Sequence, residues 1–273
     1  MDFFNDLTVS DQDFQRLVQF MQKNYGIDLS KKKTLITSRL SHSLKERGYT
    51  SLEPFLERLF SRRDPEDVEL ILNKLTTNYT YFLREPDHFT YFQNVILPEL
   101  EKRHQKDRVL SIWSAGCSSG EEPYTLSIYL KEYFGSKAAQ WDTRVLATDI
   151  SQQAMAKATA GLYHVPADMP NDWLKRYFTF DKSTGLYSVG PAIRKNVIFR
   201  PFNLMDPIQF RLKFDVIFCR NVMIYFNQET RDGLVKRFYD AMYPNGYLFV
   251  SHSESLGQDP KFRLVFPSIY QKK

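Results

Sequence analysis

Two cysteines, Cys117 and Cys219, are all that the 273 residues contain. That is too few for a disulfide-stapled secreted scaffold and points to a reducing compartment. No histidine matches them in spacing, so no metal site is expected, and both read as small apolar fillers at strand ends. No apolar run reaches the roughly 18 residues a spanning helix needs, so no membrane insertion is expected. The opening MDFFNDLTVSD is acidic, the reverse of a secretory leader, and the expected location is the cytoplasm. Strong charge is missing too. A formal net charge of +5 and a pI of about 9.0 are mild, and compatible with nucleic acid, an anionic membrane face or an acidic protein partner.

What is present centres on Arg108 to Thr125, RVLSIWSAGCSSGEEPYT. The apolar run Val109 to Trp113 reads as a buried strand. Ala115-Gly116-Cys117-Ser118-Ser119-Gly120 is a loop of side chains too small to obstruct a ligand. Glu121-Glu122-Pro123 then opens a helix, with acid in the first turn and proline where its missing N–H costs nothing. Strand, glycine loop and helix form the nucleotide-binding corner of an α/β sheet. The loop has no lysine and carries two carboxylates where a phosphate would sit. It therefore suits a nucleoside with positive charge, such as S-adenosylmethionine. A plain strand-to-helix turn is the alternative reading of this stretch alone.

Upstream, residues 1–85 read as a helical domain. Ser10 caps a first helix with Asp13 three residues on, and Phe14, Leu17, Val18 and Met21 form its apolar stripe. Ser30 is expected to open a second helix carrying Leu35, Ile36, Leu40 and Leu44. A third starts near Ser51 and a fourth at Asp64-Pro65. Between Lys31 and Arg63 stand nine basic residues against three acidic ones, although residues 1–85 balance at 13 of each. Such a run is either a solvated face or a docking surface for an acidic partner. Residues 76–86, TTNYTYFLREP, combine the cap formers Asn78 and Thr80 with aromatics and Arg84. The pattern admits a packed helix end, or a segment placed over the mouth of the next domain.

Residues 86–273 alternate strands and helices, which predicts an α/β fold with a Rossmann-like sheet. A linking helix is expected over His88–Arg103. Asp149 ends the second strand 29 positions after Gly120, where ribose hydroxyls are held in dinucleotide folds, and as a plain helix cap it would also be ordinary. Residues 162–196 break the alternation with two β-prone runs around Asp181–Gly185, a hairpin-bearing insert. The third strand ends at Asn203-Leu204 and the fourth at Arg220-Asn221. A helix is expected to stop at the turn Pro244-Asn245-Gly246, followed by a fifth strand and a closing hairpin.

The segments LTTNYTYFLRE, IWSAGCSSGEEPYT, LATDIS, FNL and FDVIFCRNVMIYF, in this order behind a helical domain, resemble the chemotaxis receptor methyltransferases of bacteria. The resemblance spans nearly the whole chain. It implies a small N-terminal all-α domain followed by a class I S-adenosylmethionine methyltransferase domain with a small antiparallel insert. It implies methyl transfer to glutamates in the cytoplasmic helical region of methyl-accepting receptors, leaving S-adenosylhomocysteine. By motif position, cofactor contacts fall on Asn78, Thr80 and Arg84, on Glu121 or Glu122, and on Asp149, Asn203, Leu204, Arg220 and Asn221. Arg220 is the residue expected nearest to a catalytic role. Lys31, Lys32, Lys33, Arg39, Lys45 and Arg47 become the receptor-docking face. The helical domain is expected to cover the cofactor site. Some members tether through the insert to a receptor pentapeptide; the compact loop DKSTGLYSVG resembles members that act without one. A monomer is expected. A nucleic-acid methyltransferase would show Asn/Asp-Pro-Pro-aromatic after the fourth strand, where this chain has Cys219-Arg220-Asn221-Val222, and no nucleic-acid partner is expected. A binding module that senses the cofactor without turnover is the remaining alternative, set against a full complement of suitable residues at the motif positions.

Overall fold

The computed structural model describes residues 9–76, 78–165 and 169–273. The chain divides into two compact units. One runs up to Asn78 and takes in Tyr225–Arg231; the other comprises Tyr79–Ile224 and Asp232–Lys273. The expected boundary at residue 85 therefore moves upstream. Phe82 is the reason: it is buried in the second unit, edge-on to Tyr163 and Phe178, and it carries the residues around it into that core.

The first unit holds α1 (Asp11–Tyr25), α2 (Lys33–Glu46), α3 (Glu53–Arg62) and α4 (Pro65–Leu75). The Ser10 cap forms as expected, its hydroxyl accepting from the Asp13 amide at 3.0 Å. Ser30 does not cap α2. Its amide donates to Asp28 in a turn, and the helix begins three residues later with no side-chain cap. Phe14, Leu17, Met21, Ile36, Leu40, Leu44, Phe55, Leu56, Leu59 and Ile71 fill the core at helical spacing. Asp67 is fully buried and receives Arg47 at 2.8 Å and both Arg58 Nε and Nη2, which ties α2 and α3 to α4. Arg39 donates to the carbonyl of Lys74. Two of the expected docking cations, Arg39 and Arg47, thus work inside this unit.

The second unit opens with α5 (Pro86–Tyr91) and α6 (Leu97–Arg103), joined through a π-helical turn, Phe92–Ile96. The single helix expected here is interrupted because Pro98 has no N–H to continue the α pattern, and the Leu97 amide reaches back five residues to Phe92 instead. Next come β1 (Ile112–Ala115), α7 (Glu121–Phe134), β2 (Val145–Asp149) and α8 (Gln152–Ala160). The insert follows as β3 (Leu162–Tyr163), α9 (Asn171–Tyr177), β4 (Phe178–Asp181), β5 (Leu186–Val189) and α10 (Pro191–Arg194). The chain finishes with β6 (Val197–Pro201), β7 (Phe214–Phe218), α11 (Gln228–Ala241), β8 (Met242–Phe249), β9 (Phe262–Phe266) and β10 (Ile269–Lys272).

The main sheet has the order β6-β2-β1-β7-β8-β10-β9, parallel except for β10, which lies antiparallel between β8 and β9. The insert forms its own antiparallel sheet, β3-β5-β4. The expected hairpin is present, and β3 joins it as a third strand too short to show a period-2 pattern. The expected stop at Pro244–Gly246 is instead an irregular stretch of β8. The helix passes directly into the strand, and a Cβ on Gly246 would stand 3.0–3.2 Å from the carbonyls of Tyr243, Asp215 and Phe214. In β1, Ile112 joins the apolar layer of α5–α7, while Trp113 faces away into Phe202, Phe210, Phe214 and Phe238. Among the described residues no helix is long and apolar enough to cross a membrane.

Candidate active site

The sheet order reverses between β1 and β7, so the crevice beyond their carboxyl ends is where an open α/β sheet takes a ligand. Most of the residues singled out in the sequence lie on loops at this edge. Gly116 and Gly120 both have positive φ, and a Cβ on either would meet Val222 at 2.4 Å or Ala158 at 2.8 Å. The loop can therefore hug both neighbouring elements only with glycine at these two positions. Asp149 fastens it: one carboxylate oxygen accepts from the Ser118 amide at 2.7 Å and the other from the Ser151 amide at 2.9 Å.

Glu121 and Glu122 diverge. Glu121 is buried and takes the Ser119 hydroxyl at 2.7 Å. Glu122 folds back along β1, accepting from Ser114 at 2.7 Å and from Arg220 Nη1 at 3.0 Å. Burial holds both carboxyls above their usual range, partly offset at Glu121 by Ser119 and at Glu122 by Arg220 and Ser114. Arg220 is buried. Its guanidinium lies over the Phe89 ring, donates from Nη1 to Glu122, and gives Nη2 to Glu85 at 3.0 Å and to the Arg84 carbonyl. Four hydrogen bonds thus tie Arg220 to Glu122, Glu85 and the Arg84 carbonyl.

Arg84 is half-buried, 5.8 Å from the Tyr81 ring and 6.0 Å from that of Tyr79, and it donates to the Tyr79 carbonyl. Its neighbours Leu83 and Glu85 both adopt positive φ, which costs non-glycine residues about 1–2 kcal/mol each. Thr80 is half-buried in the same segment. Asn203 forms a turn with the Met205 amide, and the Leu204 carbonyl accepts from Arg237 at 2.7 Å. Asn221 has positive φ, its amide donating to Glu254. Asn78 ends the helical unit, its Oδ1 3.4 Å from the Thr76 hydroxyl.

Sequence reasoning missed Glu85, His88, His252 and Glu254. Glu254 accepts from the amides of Asn221, Ile224 and Ser251 and so fixes the loop after β7. Its role has no local signal, because it depends on β8 lying beside β7. Ligand atoms of Glu85, His88 and His252 converge within 4.8 Å of one another. The group suits a cation poorly, since Arg220 already sits on Glu85 and both His252 nitrogens are bonded, to Asp87 and Ser268. Cys117 and Cys219 are buried, and burial pushes both thiols well up, so they are packing residues.

A doubly wound sheet whose switch point carries Glu121, Glu122 and Asp149 and no lysine fits a cationic nucleoside and defines an S-adenosylmethionine-dependent methyltransferase. Comparison with known proteins agrees. Residues 78–270 match the CheR methyltransferase SAM-binding domain and residues 12–76 the CheR methyltransferase all-alpha domain. The chain belongs to the CheR family of chemotaxis methyltransferases. It is 37% identical to the chemotaxis protein methyltransferase of Borreliella burgdorferi, over 98% of this chain and 96% of that protein. Identity is 36% to chemotaxis protein methyltransferase 1 of Pseudomonas aeruginosa, over 93% and 94% of the two chains. It is 34% to the Escherichia coli chemotaxis protein methyltransferase, over 97% and 92%.

Proposed function

We propose that the protein transfers the methyl group of S-adenosylmethionine to glutamate side chains in the cytoplasmic helical region of chemotaxis receptors, leaving glutamate methyl esters and S-adenosylhomocysteine. The observation that carries the acceptor class is the state of the histidines near the edge. His252 has both ring nitrogens bonded, and His88 is buried and held neutral, its pKa lowered to about 4 by burial and by Arg220. The His252 nitrogens are occupied, and burial shuts His88 off from an incoming acceptor. A glutamate is already ionised at neutral pH and needs no base.

When bound, the cofactor supplies an electrophilic methyl group on its sulfonium. The chain supplies orientation and exclusion of water, which in general can account for about 7–11 kcal/mol of barrier. In this reading Asp149 accepts from the ribose hydroxyls. Glu122, rather than Glu121, faces the amino group, because it stands beside Ser114 at the end of β1. Asn203, Leu204 and Asn221 line the remaining edge. Arg84, exposed more than Arg220, is the cation for the methionyl carboxylate.

Receptor docking falls to α2, where Lys33, Thr34, Thr37, Ser38, Ser41, His42 and Lys45 line an open cavity. Lys31 and Lys32 precede it, Lys32 lying over the Tyr225 ring. Two lysines among small hydroxyl residues suit an acidic helical partner. The double charge reversal Lys33→Glu with Lys45→Glu is expected to raise the KM for receptor about tenfold while leaving cofactor affinity unchanged, since exposed pairs contribute up to about 1 kcal/mol each. An unchanged KM would move docking elsewhere. The protein acts in this reading as a cytoplasmic monomer without a tether.

The test is transfer of tritiated methyl from S-adenosylmethionine to receptor-containing membranes, followed by base treatment. Label on the receptor band released as volatile methanol is the expected result. Tight cofactor binding without label would leave a cofactor sensor, or a different acceptor.

A further inference from the structure

We propose that Arg220 is a positioning residue whose task is to hold the strained turn Leu83-Arg84-Glu85 so that the Arg84 side chain is presented at the cofactor edge. The inference rests on the reading of Arg84 as a cofactor contact.

The turn needs something to hold it. Leu83 has φ of 62° and Glu85 has φ of 58°, two non-glycine residues in the left-handed region on either side of Arg84. Such a conformation persists only where the surroundings over-determine it. Leu83 has one outside bond, its amide to the Thr125 hydroxyl at 3.4 Å. The Arg84 carbonyl and the Glu85 carboxylate, by contrast, are both taken by one guanidinium. Arg220 Nη2 reaches the carbonyl and Glu85 Oε2, and Nε reaches the same carboxylate oxygen at 3.3 Å. The opposite edge is fixed to Glu122 Oε2 at 3.0 Å, at the start of α7. Four hydrogen bonds out of five possible donors therefore point at protein acceptors. Arg220 directly follows Cys219 at the end of β7, so its backbone is set by the sheet. The sheet thereby reaches the turn through a side chain that is 2% exposed.

A planar fork with fixed donor directions spans acceptors on its two edges, a span that the single nitrogen of an ammonium does not cover. Arg220→Lys keeps the positive charge between Glu85 and Glu122 and removes the bridge, so it is the variant to use. Hydrogen exchange read by mass spectrometry on the protein without ligand is the first arm. Amides of residues 83–88 should exchange at least about tenfold faster in Arg220→Lys, the loss of one hydrogen bond to a charged group, while Ile112–Ala115 stay protected. Equal exchange at 83–88 would overturn the proposal. If Arg220→Lys loosens β1 as well, Glu85→Gln removes the carboxylate without changing its shape. It must then show the local acceleration alone, and its failure to do so counts against the proposal.

The second arm is a calorimetric double-mutant cycle. Arg84→Ala should weaken S-adenosylmethionine binding about tenfold in the native background and less than about threefold in Arg220→Lys, because Arg84 is already misplaced there. Full and independent losses in both backgrounds would overturn the positioning role. Absence of cofactor binding by the unaltered protein would instead refute the cofactor reading, and the exchange arm would still decide the role of Arg220.

Discussion

Asp149→Ala should weaken S-adenosylmethionine binding by about 100-fold or more, measured by isothermal titration calorimetry. Two losses combine. The ribose hydroxyls lose a charged acceptor, and hydrogen bonds to charged groups are each worth about 1.5–3 kcal/mol. The glycine loop also loses its tie, because the carboxylate holds the Ser118 amide at 2.7 Å while Ser118 itself sits at positive φ. Asp149→Asn separates the two effects. It keeps one oxygen as an acceptor and should cost about tenfold, between the native protein and Asp149→Ala. A dissociation constant unchanged in Asp149→Ala would remove this residue from the site and return it to its other role, capping the entry to α8 through Ser151.

The second large effect is on stability against acid. His88 is fully buried, against Phe249 and the exposed His252, and burial first and Arg220 second lower its pKa from 6.5 to about 4. Glu85 lies 3.3 Å from Nδ1, and together with Asp87 it only partly opposes this. Between pH 6.5 and 4 the unfolded chain binds a proton at this position that the folded chain refuses. Stability is therefore full above about pH 6.5 and falls as the pH drops toward 4, by about 3 kcal/mol in total. His88→Phe keeps an aromatic ring and removes the titration. Urea unfolding of both proteins at pH 7.0, 5.5 and 4.5 is the measurement, the carboxylates elsewhere cancelling in the comparison. The native protein should lose stability relative to His88→Phe across this window. Parallel curves would mean that His88 is protonated in the folded state near its ordinary pKa.

The two effects sit at different distances from what a sequence can reveal. Asp149 was legible because strand ends, loop spacing and acid placement are local patterns, and a parallel sheet converts them directly into a common edge. Asp215 shows the limit of that logic. It is buried and takes His104 Nε2 at 2.9 Å and the Ser111 amide at 3.0 Å, a tie between segments more than 100 positions apart with no periodic trace. Arg220 shows the limit differently. Its position after β7 was legible, and its direction was not. Whether a guanidinium meets a ligand or two carboxylates depends on where Glu85 and Glu122 come to lie. The same holds on α2, where a run of basic residues reads uniformly, yet Arg47 is drawn to buried Asp67 and Lys45 lines the open cavity.

The sequence by itself determined the α/β class, the helical first unit, the glycine loop without a lysine and the acid at the end of β2, because each follows from local spacing and side-chain chemistry. The tertiary structure alone decided that Tyr79–Glu85 joins the sheet unit, that Glu254 fixes the loop after β7, and that Arg220 donates to the Arg84 carbonyl and to Glu85. Those outcomes depend on burial and on partners distant in the chain. A charge taken from water must find its counter-charges wherever the packed core puts them.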